Sequence, residues 1–78
     1  MKAQIDFAAH LRAWREHYGL TQRELGARVG LSVPAVCRIE KGIYSPRWQT
    51  VCRIMDGLGI GLPTFCQWPP GKPETAPV

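Results

Sequence analysis

The sequence lacks the features that mark membrane, secreted and metal-binding proteins. No apolar run approaches the ~18 residues that a membrane span needs, and Met1 to Gln4 lead into an amphipathic pattern, not the apolar run of a signal peptide. Its three cysteines include no C-x-x-C pair, so the sequence supports neither a disulfide framework nor a zinc site. We therefore expect a cytoplasmic protein that uses no metal and no cofactor.

Catalytic patterns are equally scarce. The sequence shows no nucleophile with a base and an orienting group, no glycine-rich phosphate loop and no cluster of carboxylates. Its two histidines, His10 and His17, fall on or beside an apolar helical stripe. The chain is therefore predicted to be a binding protein and not an enzyme.

Acidic residues are few. Six Asp and Glu residues stand against ten Lys and Arg residues, which gives a net charge of +4 at pH 7. Such a balance favours an anionic partner, although the placement of the charges is more informative than their sum.

Apolar periodicity predicts short helices at both ends of the chain. The first helix is predicted from about Asp6 to His17, because apolar residues recur at helical spacing: Phe7, Leu11, Trp14 and Tyr18. The fourth is predicted to begin at Ser45 and Pro46 and to turn these residues inward: Trp48, Val51, Ile54, Met55 and Leu58. A short helical turn follows around residues 62–66.

Four prolines among residues 69–78 predict a disordered tail after a domain of residues 1–68.

Residues 20–42 have the pattern of a helix-turn-helix. Thr21 and Glu24 form a capping box at the start of the second helix, which is predicted to end at Gly30. Ser32 is predicted to cap the third helix. At 100° per residue, the third helix has two different sides. The side that faces the core carries Ala35, Val36, Ile39 and Glu40. The side that is available to a partner carries Val33, Pro34, Cys37, Arg38 and Lys41. A basic chain built around this unit is predicted to bind duplex DNA through the major groove.

The chain resembles the Xre/Cro-type helix-turn-helix family of bacterial and phage repressors. The resemblance covers roughly residues 5–66 and rests on L-T-Q-x-E-L at 20–25, V-G-L-S at 29–32, R-I-E-K-G at 38–42 and a later proline. It implies an all-α fold, a compact bundle of about five short helices of the lambda-repressor-like type. It also implies a homodimer that binds a palindromic operator. Gly26 departs from the family pattern, which usually has alanine there.

The resemblance also implies roles for individual residues. Gln22 matches a position that binds a DNA phosphate, and Ser32 matches a position that contacts a phosphate or a sugar. The residues that match the base-reading positions are Val33, Pro34 and Arg38. Backbone contacts are implied for Lys41, Tyr44 and Ser45. Arg47 matches an arginine that approaches the minor groove in some phage repressors, although a merely solvated side chain is an equal alternative. Arg15 and Glu40 match a buried ion pair that joins the first and third helices.

The base-reading positions depart from the family in their chemistry. The family often has Gln or Asn where this chain has Val33 and Pro34, and neither of these side chains can form a bidentate hydrogen bond. They can contact thymine methyl groups, whereas Arg38 suits guanine O6 and N7. We therefore expect a half-site with T-rich steps beside one critical guanine.

Two functions are consistent with this sequence. The first is a sequence-specific DNA-binding regulator, a repressor or autoregulator, whose dimer interface is predicted at Leu62, Phe65 and Trp68. The second is an antitoxin-like or adaptor module that binds a partner protein through residues 62–78. The basic outward side of the third helix favours the first, because an adaptor would not need it.

Overall fold

The computed structural model describes residues 6–71 and contains five α-helices within them. They are α1 (Phe7–His17), α2 (Gln22–Val29), α3 (Val33–Glu40), α4 (Trp48–Leu58) and α5 (Leu62–Phe65). The all-α prediction is confirmed. Most of the predicted tail lies outside the described residues.

Polar side chains begin the first three helices as the sequence predicts. Asp6 accepts a hydrogen bond from the Ala9 N–H at 3.2 Å, and both bonds of the Thr21–Glu24 capping box are present. Ser32 accepts from the Ala35 N–H at 3.2 Å. Each of these bonds satisfies a backbone donor that has no partner within its own helix.

The predicted start of α4 was wrong. The chain remains extended at Arg47, with ψ of 161°, and the helix begins only at Trp48. The first buried residue of α4 is Ile54, six residues further along. Trp48 is therefore 66% exposed and does not belong to the core, contrary to the prediction from its apolar stripe.

One core joins the five helices. α2 packs against α3 and α4, while α1 packs against α3 and α5. The core consists of apolar side chains from every helix: Leu11, Trp14, Leu25, Val29, Val36, Ile39, Ile54, Met55, Leu58 and Phe65. This arrangement leaves the outward side of α3 uncovered by the other helices.

The chain after α5 returns to α1. The Trp14 indole N–H is shared between the carbonyl oxygens of Phe65, at 3.1 Å, and Gln67, at 3.0 Å. The Trp68 ring stacks on His10 with their centroids 4.0 Å apart. Pro69 is fully buried, so the packed domain extends at least one residue beyond the predicted boundary at residue 68.

Gly26 allows α2 to approach the turn that follows it. A Cβ atom at this position would collide with the Leu31 carbonyl oxygen and would lie 3.5 Å from the Val36 side chain. The Leu31 N–H also donates to the Gly26 carbonyl at 2.8 Å, so a hydrogen bond joins the turn to Gly26 itself. The departure from alanine thus has a steric reason.

Gly26→Ala is expected to destabilise the domain. Moving the turn to admit the methyl group costs about 1–3 kcal/mol, which exceeds the ~0.5–1 kcal/mol that alanine gains over glycine in a helix. Urea denaturation followed by circular dichroism measures the net loss. Gly61→Ala is the matched control, because its methyl group would meet only Pro63 Cδ, at 3.6 Å. An equal or greater stability of Gly26→Ala would contradict the steric explanation.

Candidate nucleic-acid interface

A three-residue turn joins α2 to α3. Gly30 ends α2 with φ of 76°, a left-handed conformation that glycine adopts without the penalty of a Cβ atom. Leu31 lies half-buried and Ser32 caps the next helix. The turn therefore fixes the direction in which α3 leaves the bundle.

Arg53 holds this turn from α4. Its Nε donates to the Val29 carbonyl at 3.2 Å and its Nη2 to the Gly30 carbonyl at 2.7 Å. These are C-terminal carbonyls of α2, which lack partners within their own helix. Sequence reasoning missed this contact, because Arg53 lies more than twenty residues from the carbonyls that it binds.

The outward side of α3 is accessible in the pattern that the sequence predicts. Pro34 and Arg38 are exposed, while Val33 and Cys37 are half-buried between them and the core. Lys41 is exposed directly after the helix. The side chains at the three implied base-reading positions thus reach the surface along one helix.

A buried ion pair fixes α3 to α1. Arg15 Nε donates to Glu40 Oε2 at 2.6 Å and Arg15 Nη2 to Glu40 Oε1 at 3.1 Å, the bidentate geometry of a strong pair. A third bond comes from Gln22 Nε2, 3.1 Å from Glu40 Oε1. Glu40, which is only 5% exposed, therefore joins three helices.

Basic residues supply all the exposed charges between Leu25 and Met55. Glu40 is the only acidic residue between Leu25 and Met55, and it is buried against Arg15. The remaining charged side chains of that segment are all basic and exposed: Arg28, Arg38, Lys41, Arg47 and Arg53. Such a surface attracts a polyanion over a distance of about a Debye length, ~10 Å at 0.1 M salt.

The loop after α3 contributes a further group of exposed polar residues. Tyr44 and Arg38 line one shallow cavity of about 270 Å³ between α3 and α4. Ser45 and Arg47 are exposed but do not line it, and Ser32 lies exposed at the other end of α3. Gln22 is half-buried.

No helix within residues 6–71 is long and apolar enough to cross a membrane.

The predicted dimer contacts are only partly accessible. Phe65 is 0% exposed and packs on the Phe7 ring with centroids 4.9 Å apart, so its prediction as a dimer contact was wrong. Trp68 is half-buried against His10, and Leu62 is 37% exposed. The side chain of Phe65 is buried by Phe7 and other core residues that are distant in sequence, which a local apolar pattern does not reveal.

An accessible helix that follows a second helix across a short glycine turn defines a helix-turn-helix protein. The family model described as a helix-turn-helix domain matches residues 6–64, and the chain belongs to this family. Over 49 residues it is 43% identical to an uncharacterized HTH-type transcriptional regulator from Methanothermobacter thermautotrophicus, covering 63% of this chain and 71% of that protein.

Solved structures share the fold. The restriction-modification controller protein C.AhdI from Aeromonas hydrophila superposes with a TM-score of 0.73 at 26% identity, covering 80% of this chain and 92% of that one. The controller protein C.Esp1396I gives a TM-score of 0.72 at 22% identity over 77% of each chain. The second similarity concerns the fold alone.

Proposed function

We propose that this chain is a sequence-specific transcriptional regulator, a repressor or autoregulator, that binds duplex DNA with α3 in the major groove. The observation that carries the proposal is the exposed side of α3, where Arg38 and the following Lys41 are accessible while Glu40, the acidic residue of the same helix, is buried and paired with Arg15. Its similarity to an HTH-type transcriptional regulator and to controller proteins supports the same function.

Base recognition is assigned to three residues of α3. Val33 and Pro34 present apolar surface that suits thymine methyl groups, and the Arg38 guanidinium suits guanine O6 and N7. Because Pro34 lies in the first turn of α3, its missing N–H breaks no helical hydrogen bond. We therefore propose a half-site of T-rich steps beside one critical guanine.

Phosphate contacts are assigned to the edges of the same surface. Gln22 uses one amide N–H to bind Glu40, which fixes the side chain at the start of α2 and leaves its second N–H for a phosphate oxygen. Ser32 lies at the start of α3, and the loop supplies Lys41, Tyr44, Ser45 and Arg47. These contacts position the protein, because phosphates carry no direct sequence information.

A homodimer suits this mode of binding. A two-fold protein places two copies of α3 about 34 Å apart, which matches half-sites separated by one turn of DNA. The operator is then a palindrome, since each copy reads the same bases on opposite strands.

Selection from a random duplex DNA library tests this proposal. We expect the purified protein to enrich a palindrome whose half-sites are centred about 10 base pairs apart and contain a guanine next to thymines. Binding to the enriched duplex should exceed binding to a scrambled duplex by about 10³-fold or more at physiological salt. Enrichment of no motif, with only salt-sensitive binding to any duplex, would contradict the proposal.

A further inference from the structure

The guanidinium of Arg53 connects α4 to the turn that places α3. Its two hydrogen bonds, to the carbonyls of Val29 and Gly30, come from a charged donor. Such bonds are shorter and roughly twice as strong as bonds between neutral groups, and a cation is also favoured at the C-terminal end of a helix. The contact therefore attaches the end of α2, and the turn after it, to α4.

Two glycines make room for this contact. A Cβ atom on Gly30 would collide with Arg53 Nη2. A Cβ atom on Gly57 would lie 2.5 Å from Val29 Cγ1, much closer than van der Waals contact allows. Gly57 follows Arg53 by four residues, so the two residues lie on the same side of α4, against α2. The close approach of α4 to α2 thus brings Arg53 within reach of the turn.

The two ends of α3 are attached to different helices. At the C-terminal end, Glu40 binds Arg15 of α1. At the N-terminal end, the turn that Arg53 binds leads into Val33, three residues after Gly30. Beyond its packing against the core, α3 is therefore attached to α1 at one end and, through the turn, to α4 at the other.

We propose that Arg53 is a positioning residue for base recognition, which holds the turn so that Val33 and Pro34 reach the bases correctly. The inference rests on the proposed function, because that function assigns thymine recognition to these two residues. Side chains that recognise a ligand have to be held within about 0.5 Å of their productive geometry by the residues that support them. Arg38 lies only two residues before Glu40, so its placement depends on the other attachment of α3.

Arg53→Met tests the inference, because methionine keeps an unbranched side chain and removes both donors. Arg53 lies at the surface, so the core remains intact and the variant should fold. We expect it to bind the selected operator about 10-fold more weakly, since the turn holds the binding-competent position in only a fraction of the molecules. The preference for thymine should fall at the steps assigned to Val33 and Pro34, while the preference for guanine at the base pair assigned to Arg38 remains.

Fluorescence anisotropy measures these effects at a temperature where circular dichroism shows both proteins to be fully folded. A general loss of stability therefore does not contribute to them. Arg28→Met is the matched control, because it removes an equal charge from the same cavity and leaves both bonds of Arg53 in place. We expect its base preferences to equal those of the wild type. Arg53→Met should also keep the wild-type slope of log Kd against log salt, because Arg53 acts on the turn and not on a phosphate.

Hydrogen exchange of the Leu31 amide tests the same contact without DNA. The Leu31 N–H donates to the Gly26 carbonyl across the turn, so its exchange rate reports how often the turn opens. In Arg53→Met we expect this amide to exchange about 10-fold faster, while the amides of α1 exchange at the wild-type rate. In Arg28→Met the Leu31 amide should exchange as it does in the wild type.

Three results would overturn the inference: an unchanged Leu31 exchange rate in Arg53→Met, an unchanged thymine preference, or a salt slope reduced by about 0.9 for each subunit. DNA selection separates the inference from the proposed function. If Arg53→Met opens the turn but the wild type selects no motif, the proposed function fails and the contact between Arg53 and the turn stands. A motif that the wild type and Arg53→Met bind with equal affinity would do the reverse.

Discussion

Glu40→Ala is expected to lower the free energy of unfolding by about 3–5 kcal/mol, because it removes one partner of a buried ion pair. The substitution takes three hydrogen bonds away from Arg15 and Gln22. Arg15, whose side chain is only 13% exposed, keeps its bond to the Leu20 carbonyl and a longer ion pair to the exposed Glu16, at 4.0 Å, but loses its buried bidentate partner. For a domain of this size, each 1 kcal/mol lowers Tm by about 4–8 °C. Thermal and urea denaturation followed by circular dichroism measure both quantities.

Two controls separate the effect of leaving Arg15 without its buried carboxylate partner from the other effects of the substitution. Asp56→Ala removes an equal charge from an exposed site on α4 and should change stability by only about 0.5 kcal/mol. The double variant with Arg15→Met and Glu40→Leu replaces the pair with apolar side chains and should be more stable than Glu40→Ala alone. If Glu40→Ala and Asp56→Ala are equally stable, the pair does not fix α3 to α1 as described.

Arg38→Ala is expected to weaken binding to the selected operator by about 1–3 kcal/mol per half-site, or about 5- to 150-fold, if the arginine forms a bidentate contact with guanine. The preference for guanine at that base pair should be lost, while the preference for thymine at the neighbouring steps remains. Because Arg38 is exposed and no protein hydrogen bond to its side chain is present within residues 6–71, the fold should be unaffected. Fluorescence anisotropy with operator duplexes that vary at each base pair measures both effects.

Arg28→Ala is the matched control for this substitution. It removes the same charge from an exposed helical position, but Arg28 lies in the last turn of α2. It is therefore six residues, or about 9 Å along the helix axis, from Gln22 at the end assigned to phosphate contact. We expect a small, uniform loss of affinity without any change in base preference. A matching loss of guanine preference in both variants would show that Arg38 acts only through its charge.

The helices and their order were predictable from the sequence because the signals are local. Apolar residues at helical spacing, the Thr21–Glu24 capping box and the glycine at position 30 all act within a few residues of their place in the chain. The outward side of α3 follows from the same periodicity. The pairing of Arg15 with Glu40 came from the family resemblance, because no local pattern joins residues 25 apart in sequence.

Contacts between distant segments account for the parts that the sequence did not reveal. Trp14 binds carbonyl oxygens that are more than fifty residues away, and the burial of Phe65 and Pro69 depends on the same return of the chain to α1. The apolar stripe of α4 predicted which side is buried, but not which turns have a neighbour to pack against. Trp48 lies at the start of that helix, before the first turn that has such a neighbour, and remains exposed.

The most direct test of base reading by α3 is a double-mutant cycle between Arg38→Ala and 7-deazaguanine at the critical base pair. The modified base lacks the N7 acceptor and keeps its pairing. The wild type should lose about 1.5–3 kcal/mol on the modified operator, the loss expected for one hydrogen bond to a charged group. Arg38→Ala should bind both operators equally. Equal losses for the two proteins would contradict the account, because they would show that Arg38 does not contact that guanine.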